Sequence, residues 1–336
     1  MRRVQRLREA HANTDMQGMN SPSRPVLSIG ETLIDMIATD GAPSLEVAHD
    51  FVARAGGAPA NVAVALARLG VASAFCGVVG ADPFGERLIT ELRSEGVDVT
   101  RLRQTDAAPT TIAFAWKDDR GDGRFWIMRG ADLELSPEDA DRAGVSSLMA
   151  LVLGSVSLAA PSSRAAVLRA VALANRAEVP VVFDVNLRPT VWREPQEALG
   201  LCESVASRST IVKLSLDDAA GLFGAEVTPA DACTRMLALG APSVVLTDGA
   251  RGCWFANAAD EEVQFVPAFS VEAIEPTGAG DAFAAAIIAR AIASGWDPLQ
   301  REDVQFASAA GALATTRRGA WDGLPTPAHL EAFLAQ

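Results

Sequence analysis

The sequence EPTGAGDAF occupies residues 275–283 and leads directly into AAAIIARAIA at residues 284–293. The residues after Asp281 are apolar on every face of a helix, which predicts a helix buried in the protein core. The glycine-rich beginning of this helix leaves backbone N–H groups without partners at the positive end of the helix dipole. The stretch therefore predicts a core helix whose first turn can bind an anion.

Asp281, in the first turn of this helix, has two interpretations. An acidic residue at this position can simply complement the helix dipole and cap N–H groups, which is common. A carboxylate beside an anion site can also take a proton from an attacking hydroxyl group. The rest of the sequence has to decide between a cap and a catalytic base.

Upstream of this stretch, short runs rich in Val, Ile and Leu alternate with helical segments. Continuous apolar strands of this kind are typical of a parallel sheet that is covered on both faces. The helical segments include residues 59–69, ended by Gly70, and residues 82–94, ended by Gly96. This alternation predicts an α/β fold with a doubly wound, mostly parallel sheet flanked by helices. The predicted strands are residues 25–30, 74–80, 150–155, 179–186, 210–215 and 243–247.

Several predicted strands run directly into polar residues. In open α/β sheets, ligands bind beyond the carboxyl ends of the strands, so we expect these polar residues to converge on one cleft. They are Glu31 with Asp35, Asp184 with Asn186, Lys213 with Ser215, and Thr247 with Asp248.

Two segments, at about residues 36–55 and 110–130, fit a wound α/β core poorly. Within the second, Thr111–Trp116 and Arg124–Met128 flank an Asp/Gly turn and predict a β-hairpin. Together the two segments predict a small β-strand lid over the cleft. We expect a single domain over residues 25–336, preceded by a disordered tail or an upstream start at residues 1–24, with Met19 as an alternative start.

Composition excludes several classes of function. The 29 Lys and Arg residues against 42 Asp and Glu residues give a net charge of −13, which argues against nucleic-acid and anionic-membrane partners. The three histidines, at positions 11, 49 and 329, are not in ligand spacing for a zinc site or a Ser-His-Asp arrangement. The apolar stretch at residues 148–161 is shorter than the ~20 residues that a membrane span needs. Four widely spaced cysteines without a secretory leader predict a reducing, cytoplasmic location.

Two familiar phosphate-binding motifs are also absent. The chain has two lysines, Lys117 and Lys213, and neither lies in a GxxxxGK[ST] motif, which excludes a Walker A loop. The pattern of a dinucleotide-binding GxGxxG loop fails as well, because Phe283 stands at the third small position. The glycine-rich turn before Asp281 must therefore belong to another kind of anion site.

The sequence TGAGDAF at residues 277–283 resembles the C-terminal signature of the ribokinase-like (PfkB) carbohydrate kinases. GGAPANVA at residues 56–63 resembles their N-terminal signature. The similarity extends from about Val26 to Thr326 and includes DVNLRP at residues 184–189 and TRRGA at residues 316–320. The resemblance implies a ribokinase-like fold with a β-strand lid, ATP as phosphoryl donor, Mg²⁺ as cofactor and a small sugar as acceptor.

The resemblance also implies roles for individual residues. Asp281 is expected to deprotonate the sugar hydroxyl, while the N–H groups of Gly278, Ala279 and Gly280 stabilise the transferring phosphoryl group. The positions that match sugar-binding residues are Asp35, Gly56, Gly57 and Asn61, with Arg129 and Arg188 as groups that discriminate between substrates. The positions expected to bind the nucleotide are Lys213, Thr247, Gly249, Gly252, Ser308 and Gly319.

The chain departs from the family pattern at the ion sites. The NxxE motif that organises magnesium through water is replaced by Ser215-Leu216-Asp217-Asp218, so Asp218 is the expected magnesium contact. The residues before the second signature, usually Asp-Thr, are Glu275-Pro276, so potassium activation at Glu275 and Thr277 is an open question.

Three functions remain as alternatives. Residues 184–192 are similar to fructokinases and to 2-keto-3-deoxygluconate kinases, and phosphorylation of a ketohexose, with fructose first, is the leading expectation. Two arginines could also hold an acidic sugar, which keeps a 2-keto-3-deoxygluconate kinase as the second candidate. A sugar-binding sensor without turnover, on the same fold, is the third. Lid strands in this family often pair, so a homodimer through the lid is a further expectation.

Overall fold

The computed structural model describes residues 24–119 and 123–335 of the chain. Its strands lie in two sheets, and its helices pack mainly on the larger one. The strands are β1 (Val26–Ile29), β2 (Leu33–Ala38), β3 (Phe51–Gly56), β4 (Ser73–Gly80), β5 (Asp98–Thr105), β6 (Ile112–Lys117), β7 (Gly123–Met128), β8 (Ala150–Gly154), β9 (Val181–Asp184), β10 (Ile211–Ser215), β11 (Ser243–Thr247), β12 (Gly252–Asn257) and β13 (Gln264–Pro267). The helices are α1 (Ala58–Arg68), α2 (Pro83–Ser94), α3 (Pro137–Arg142), α4 (Pro161–Arg176), α5 (Pro195–Ala206), α6 (Leu216–Phe223), α7 (Pro229–Ala238), α8 (Ala279–Ala293), α9 (Arg301–Ala314) and α10 (Pro327–Leu334).

Within the described residues the larger sheet has nine strands in the order β13-β12-β11-β10-β9-β8-β1-β4-β5. Neighbouring strands from β11 to β5 run parallel, and β12 and β13 are antiparallel additions at one edge. The predicted doubly wound, mostly parallel α/β fold is thereby confirmed. The six predicted strands correspond to β1, β4, β8, β9, β10 and β11.

Helices cover both faces of this sheet. One core contains apolar side chains of α1, α2, α8, α9 and α10, and the other contains those of α4, α5, α6 and α7. Helix α8 lies inside the first core, and its residues from Ala282 to Ile288 are all buried, as its apolar sequence predicts. The sequence that defines the first turn of α8 is therefore held in a rigid environment.

The smaller sheet has the order β3-β2-β6-β7 in the described part of the chain. Strands β6 and β7 form the predicted hairpin, with Ile112 opposite Met128, and the turn residues 120–122 lie outside the described residues. The first lid segment differs from the prediction: its strands are residues 33–38 and 51–56, and residues 39–50 form the connection between them. The predicted tail at residues 1–24 falls outside the described residues except for Arg24.

Among the described residues, no helix combines the length and the apolar character that crossing a membrane requires.

Candidate active site

Two cavities lie beyond the carboxyl ends of the parallel strands. A cavity of about 290 Å³ is lined by the polar ends of β1, β9 and β10, by the small sheet and by the start of α8. A second cavity of about 520 Å³ lies beyond β11 and extends between the loop before α8 and helix α9. The two cavities share Pro276 and Gly280, so they meet at the first turn of α8. Most of the polar residues predicted to converge line these two spaces: Glu31, Asp35, Asn186 and Lys213 line the smaller cavity and Thr247 lines the larger one. Asp184, Ser215 and Asp248 are not among the lining residues of either cavity.

The first turn of α8 has the backbone of an anion site. Gly278 has φ of 83°, and a Cβ atom on it would lie 2.6 Å from the carbonyl oxygen of Ala320, so only glycine fits. The N–H of Ala279 donates to the carbonyl of Pro276 at 3.1 Å. Ala279 is one of the three predicted phosphoryl-binding positions, and its N–H has a backbone acceptor in this structure. Within the described residues, no acceptor is found for the N–H groups of Gly278 and Gly280, which leaves these two for an anion.

Asp281 lies on the wall of the smaller cavity, and Asn61 holds one of its carboxylate oxygens. The Asn61 Nδ2 donates to Asp281 Oδ2 at 2.7 Å, and Trp321 Nε1 donates to Asn61 Oδ1, also at 2.7 Å. Burial raises the pKa of Asp281, while the hydrogen bond from Asn61 and the charges of Lys213 and Arg188 act in the opposite direction. Asn61 was predicted to bind sugar; it lines the cavity, and it also orients Asp281.

Asp35 faces Asp281 across the cavity from β2. Burial, with a contribution from the charge of Asp281, raises the pKa of Asp35 to about 7. Gly57, with φ of 100°, lines the same cavity. Gly56 does not line it: a Cβ atom there would lie 2.0 Å from Asp35 Oδ2, so this glycine makes room for the carboxylate instead of touching a ligand.

The two predicted arginines have different positions. Arg188 lines the cavity and lies with its guanidinium carbon 5.8 Å from the ring centre of Phe125 on β7. Arg129 is not among the lining residues, because it is bound to the buried Asp132 at 2.7 Å through Nε and donates to the carbonyl of Val156 at 2.9 Å. The structure therefore brings Arg188 to the cavity and places Arg129 behind its wall.

Lys213, predicted to bind the nucleotide, is the middle residue of β10 and lines the smaller cavity. Its Nζ lies 3.0 Å from Asp184 Oδ1 and donates to Asp184 Oδ2 at 3.2 Å. Burial would lower the pKa of Lys213, but the carboxylates of Asp184, Asp218 and Asp281 raise it, so the ammonium stays charged. A Cβ atom on Gly280 would lie 2.9 Å from this Nζ, which shows how closely the charge approaches the first turn of α8.

The larger cavity contains most of the residues predicted for the nucleotide. Thr247, Gly249, Gly252 and Ser308 all line it. Gly319 is not among the lining residues, and its N–H donates to Glu275 Oε2 at 3.1 Å. The cavity is otherwise mainly apolar, as a site for a flat aromatic base would be.

The predicted ion contacts lie at the edge of this arrangement. Asp218 accepts hydrogen bonds from the N–H groups of Leu187 and Ser215, both at 2.7 Å, so its two oxygens are occupied by the backbone. Glu275 is bonded to Gly319, and Thr277 lines the smaller cavity. In residues 24–119 and 123–335 no cluster of three or more His, Cys, Asp or Glu side chains is placed to hold a metal. Metal and cation roles for these residues stay predictions.

Sequence reasoning missed several residues that shape the site. Glu31 was expected in the cleft as a polar strand end but was given no role there. It lines the smaller cavity, accepts a hydrogen bond from Ser157 Oγ at 2.8 Å and has its pKa raised by burial to about 7. Trp321 reaches Asp281 through Asn61, although nothing in its sequence context indicates that contact. Phe125 and Ile127 line the cavity from β7, where the alternation of the lid strand could have indicated one inward face.

Comparison with known proteins agrees with this geometry. Fructokinase-1 from Zea mays is 34% identical over 314 residues, covering 91% of this chain and 96% of that protein. A putative ribokinase II from E. coli, in complex with ATP and Mg²⁺, superimposes with a TM-score of 0.82 at 28% identity, covering 93% of this chain and 99% of the other. A fructokinase double mutant from Vibrio cholerae, bound to fructose, ADP and a potassium ion, has a TM-score of 0.79 at 32% identity, covering 94% and 100%.

The family model that matches the chain is that of the pfkB family carbohydrate kinases, and the match covers residues 23–327. It spans both cavities, the small sheet and α8. The chain therefore belongs to the pfkB family of carbohydrate kinases.

Proposed function

We propose that this kinase transfers the γ-phosphoryl group of ATP to a hydroxyl group of a ketohexose, with fructose as its main acceptor. The observation that carries the proposal is the position of Asp281, which lies in the smaller cavity at the turn where that cavity meets the larger one. A sugar in the smaller cavity and a nucleotide in the larger one would approach each other at this turn. Similarity to fructokinases supports fructose as the sugar.

The proposed reaction uses the groups around α8 in fixed roles. Asp281 takes the proton of the sugar hydroxyl as its oxygen forms a bond to the γ-phosphorus, and the bond from phosphorus to the bridging oxygen of ADP breaks. The N–H groups of Gly278 and Gly280 and the ammonium of Lys213 stabilise the charge on the transferring group. Catalysis then depends on positioning and electrostatics that are in place before the substrates bind.

The lining of the smaller cavity favours a neutral sugar over a sugar acid. Glu31, Asp35 and Asp281 bring three carboxyl groups that can bind hydroxyls. Among the described residues that line the cavity, Arg188 is the single arginine, since Arg129 is held by Asp132. A volume of about 290 Å³ corresponds to roughly ten water molecules at ~30 Å³ each, which suits a monosaccharide.

Magnesium bound with the nucleotide would offset phosphate charge in this reaction. Asp184 suits a role in holding it better than Asp218 does, because the partner of its carboxylate is the side chain of Lys213, 3.0 Å from Oδ1, and not the fixed backbone. Asp218 is less suited, since backbone N–H groups occupy both of its oxygens. Asp184→Asn should raise the magnesium concentration needed for half-maximal activity more than Asp218→Asn does, and equal effects would contradict this choice.

Activation by potassium is also a proposal. Glu275 and Thr277 belong to the loop that leads into α8, and the Glu275 carboxylate already joins this loop to Gly319. Replacing sodium by potassium at constant ionic strength should raise activity. Equal rates in both salts would show that the Glu275–Gly319 contact is sufficient without the cation.

We further propose a homodimer through the outer face of the lid and a cytoplasmic location. The outer face carries a row of apolar rings, with Phe114 stacked on Trp126 at 5.9 Å and packed edge-on against Phe51 at 5.7 Å. Trp126 and Met128, two residues apart on one face of β7, are 48% and 47% exposed, and adjoining exposed apolar side chains of this kind mark interaction surfaces. Light scattering should give the mass of two chains.

The four cysteines are free and buried, which supports a reducing compartment such as the cytoplasm.

A panel of acceptors tests the main proposal. Steady-state assays with fructose, 2-keto-3-deoxygluconate, ribose and inosine should give the highest kcat/KM for fructose. Asp281→Asn should lower kcat by a factor of ~10² to 10⁴ while fructose binding, measured by calorimetry, is retained. Asp217→Asn is the matched control, because Asp217 is exposed on α6, and its activity should be unchanged.

Three results would contradict the proposal in different ways. A higher kcat/KM for 2-keto-3-deoxygluconate would make the chain a sugar-acid kinase. Sugar binding without consumption of ATP would make it a sensor. Full activity of Asp281→Asn would remove Asp281 as the base.

A further inference from the structure

Trp321 holds the amide of Asn61 in one orientation. The indole N–H can only donate a hydrogen bond, so the Asn61 atom 2.7 Å away must be the amide oxygen. The amide nitrogen of Asn61 then necessarily faces Asp281 Oδ2, also at 2.7 Å. One donor-only group therefore determines which end of the amide meets the catalytic carboxylate.

Trp321 is itself held from the helix that carries Asn61. Arg68, the last residue of α1, donates through one guanidinium nitrogen to the carbonyl of Trp321 at 2.5 Å and to that of Leu324 at 3.2 Å. Glu95 binds the other side of this guanidinium through two hydrogen bonds, at 2.7 and 2.8 Å. Helix α1 thus contacts Trp321 at its side chain through Asn61 and at its backbone through Arg68, which leaves the indole little freedom.

We propose that Trp321 is a positioning residue for the catalytic base, acting through Asn61 to keep an N–H donor against Asp281 Oδ2 and leave Oδ1 for the proton of the acceptor hydroxyl. The proposal rests on the phosphoryl transfer assigned to this site. It gives Trp321 a role in the chemistry. The preceding residue, Ala320, lies against Gly278 at the anion site.

Loss of the indole N–H has a defined electrostatic consequence. Without it, the carboxylate alone holds the Asn61 amide, so the N–H donor is less firmly kept against Asp281 Oδ2. A weaker hydrogen bond to the charged form raises the pKa of a carboxyl group. Burial already raises the pKa of Asp281, so the base would lose its proton only at higher pH. The other charged groups that face Asp281 act equally in the unaltered protein and in a variant that lacks the indole N–H. They are Asp35, Asp184, Arg188 and Lys213.

The chain offers a matched control for removing a buried indole N–H. Trp296 is 3% exposed, and within the described residues its Nε1 makes no hydrogen bond. Trp321 is 8% exposed and differs in that its Nε1 is bonded. Trp321→Phe and Trp296→Phe therefore make a similar change in size, and only the first removes the contact with Asn61.

The test measures kcat and KM for the preferred sugar across pH in both variants. In Trp321→Phe we expect the acidic limb of the kcat profile to move to higher pH, with kcat about tenfold lower below neutral pH and little change in KM. Trp296→Phe should keep the pH profile of the unaltered enzyme. A Trp321→Phe profile that coincides with that of Trp296→Phe, or a change confined to KM, would overturn the proposal.

A spectroscopic measurement needs neither turnover nor a Trp321 variant. In the unaltered protein with ¹⁵N-labelled tryptophan, one indole N–H resonance should shift with pH as Asp281 titrates. The same resonance should stop shifting in Asp281→Asn. Six indole resonances with identical pH dependence in both proteins would overturn the positioning role even if the enzyme phosphorylates fructose. If no sugar in the panel were phosphorylated while the indole resonance still followed the titration of Asp281, the result would count against the proposed function alone.

Discussion

Gly56 determines whether Asp35 can reach the smaller cavity. A Cβ atom on Gly56 would lie 2.0 Å from Asp35 Oδ2 and 2.9 Å from its Cγ. Because the obstructing atoms belong to the end of a side chain, the carboxylate would turn away while the backbone stays in place. At this position a methyl group should therefore harm sugar binding more than it harms folding.

We expect Gly56→Ala to raise the KM for fructose by about tenfold, a loss of the order of one hydrogen bond, with a smaller change in kcat. Gly200→Ala is the control. Gly200 lies within α5 with open space around it, so this change should leave kinetics unaltered and stabilise the protein by up to ~1 kcal/mol. Kinetics of Gly56→Ala equal to those of Gly200→Ala would show that Asp35 is not held by this contact.

At the residue scale, the sequence indicated which residues form the site better than it indicated their contacts. Asp281, Asp35, Gly57, Asn61 and Arg188 were all expected in the cleft, and they line one cavity. The bonds from Asn61 to Asp281 and from Trp321 to Asn61 join positions 220 and 260 residues apart, which no local pattern can indicate. Asp132 is only three residues from Arg129, but the fold determines that it is buried. Its bond to Arg129 holds that arginine outside the cavity, which the sequence pattern did not indicate.

Among the elements, α8 was the most predictable because two independent physical signals coincide in it. Its apolar residues on every face require burial, and its glycines require backbone that other residues cannot adopt. Strands β5, β12 and β13 were missed for the opposite reason. Strands β13 and β5 are the two edges of the larger sheet, and exposed positions such as Phe265 and half-buried ones such as Arg101 and Arg103 interrupt their apolar pattern. Strand β12 lies between β13 and β11 as an antiparallel addition outside the alternation of strand and helix.

Gly278→Ala tests the start of α8. The new Cβ atom would meet the carbonyl of Ala320 at 2.6 Å, so the turn has to move and the N–H groups of Gly278 and Gly280 lose their alignment. We expect kcat to fall by a factor of ~10² or more, comparable to the loss of one oxyanion-hole donor. Gly295→Ala separates the effect of backbone strain from the effect of displacing the turn. Gly295 also has a positive φ, of 66°, but it has open space around it. That variant should lose stability alone, and a similar fall in its kcat would contradict the assigned role of Gly278.

At the scale of the whole molecule, the cleft concentrates carboxyl groups whose pKa values are raised by burial. Burial raises the pKa of Glu31 and Asp35 to about 7 and that of Asp184 to about 6. Between the unfolded values near 4 and these folded values, the native state binds more protons than the unfolded chain does. Stability must therefore fall as pH rises through this window and level off above it.

Thermal unfolding of the ligand-free protein should show this dependence. We expect the Tm to be higher by a few degrees at about pH 5 than at about pH 8, since groups with raised pKa values stabilise the native state only while protonated. Asp35→Asn should flatten the profile, because the amide cannot ionise. A Tm that rises with pH over this range would contradict the assignment of these carboxyl groups as buried and protonated.

The stacked pair of Phe114 and Trp126 in the lid has an optical consequence. The chain contains six tryptophans and no tyrosine, so its near-ultraviolet absorption and emission come almost entirely from indole rings. Trp126 is the most exposed large hydrophobic residue of β7, at 48%, and it lies on the sheet whose other face lines the sugar cavity. A sugar that draws this sheet inward would change the water around that ring. Trp126 is therefore a native fluorophore on the small sheet, and we expect its emission in stopped flow to report acceptor binding without an attached dye.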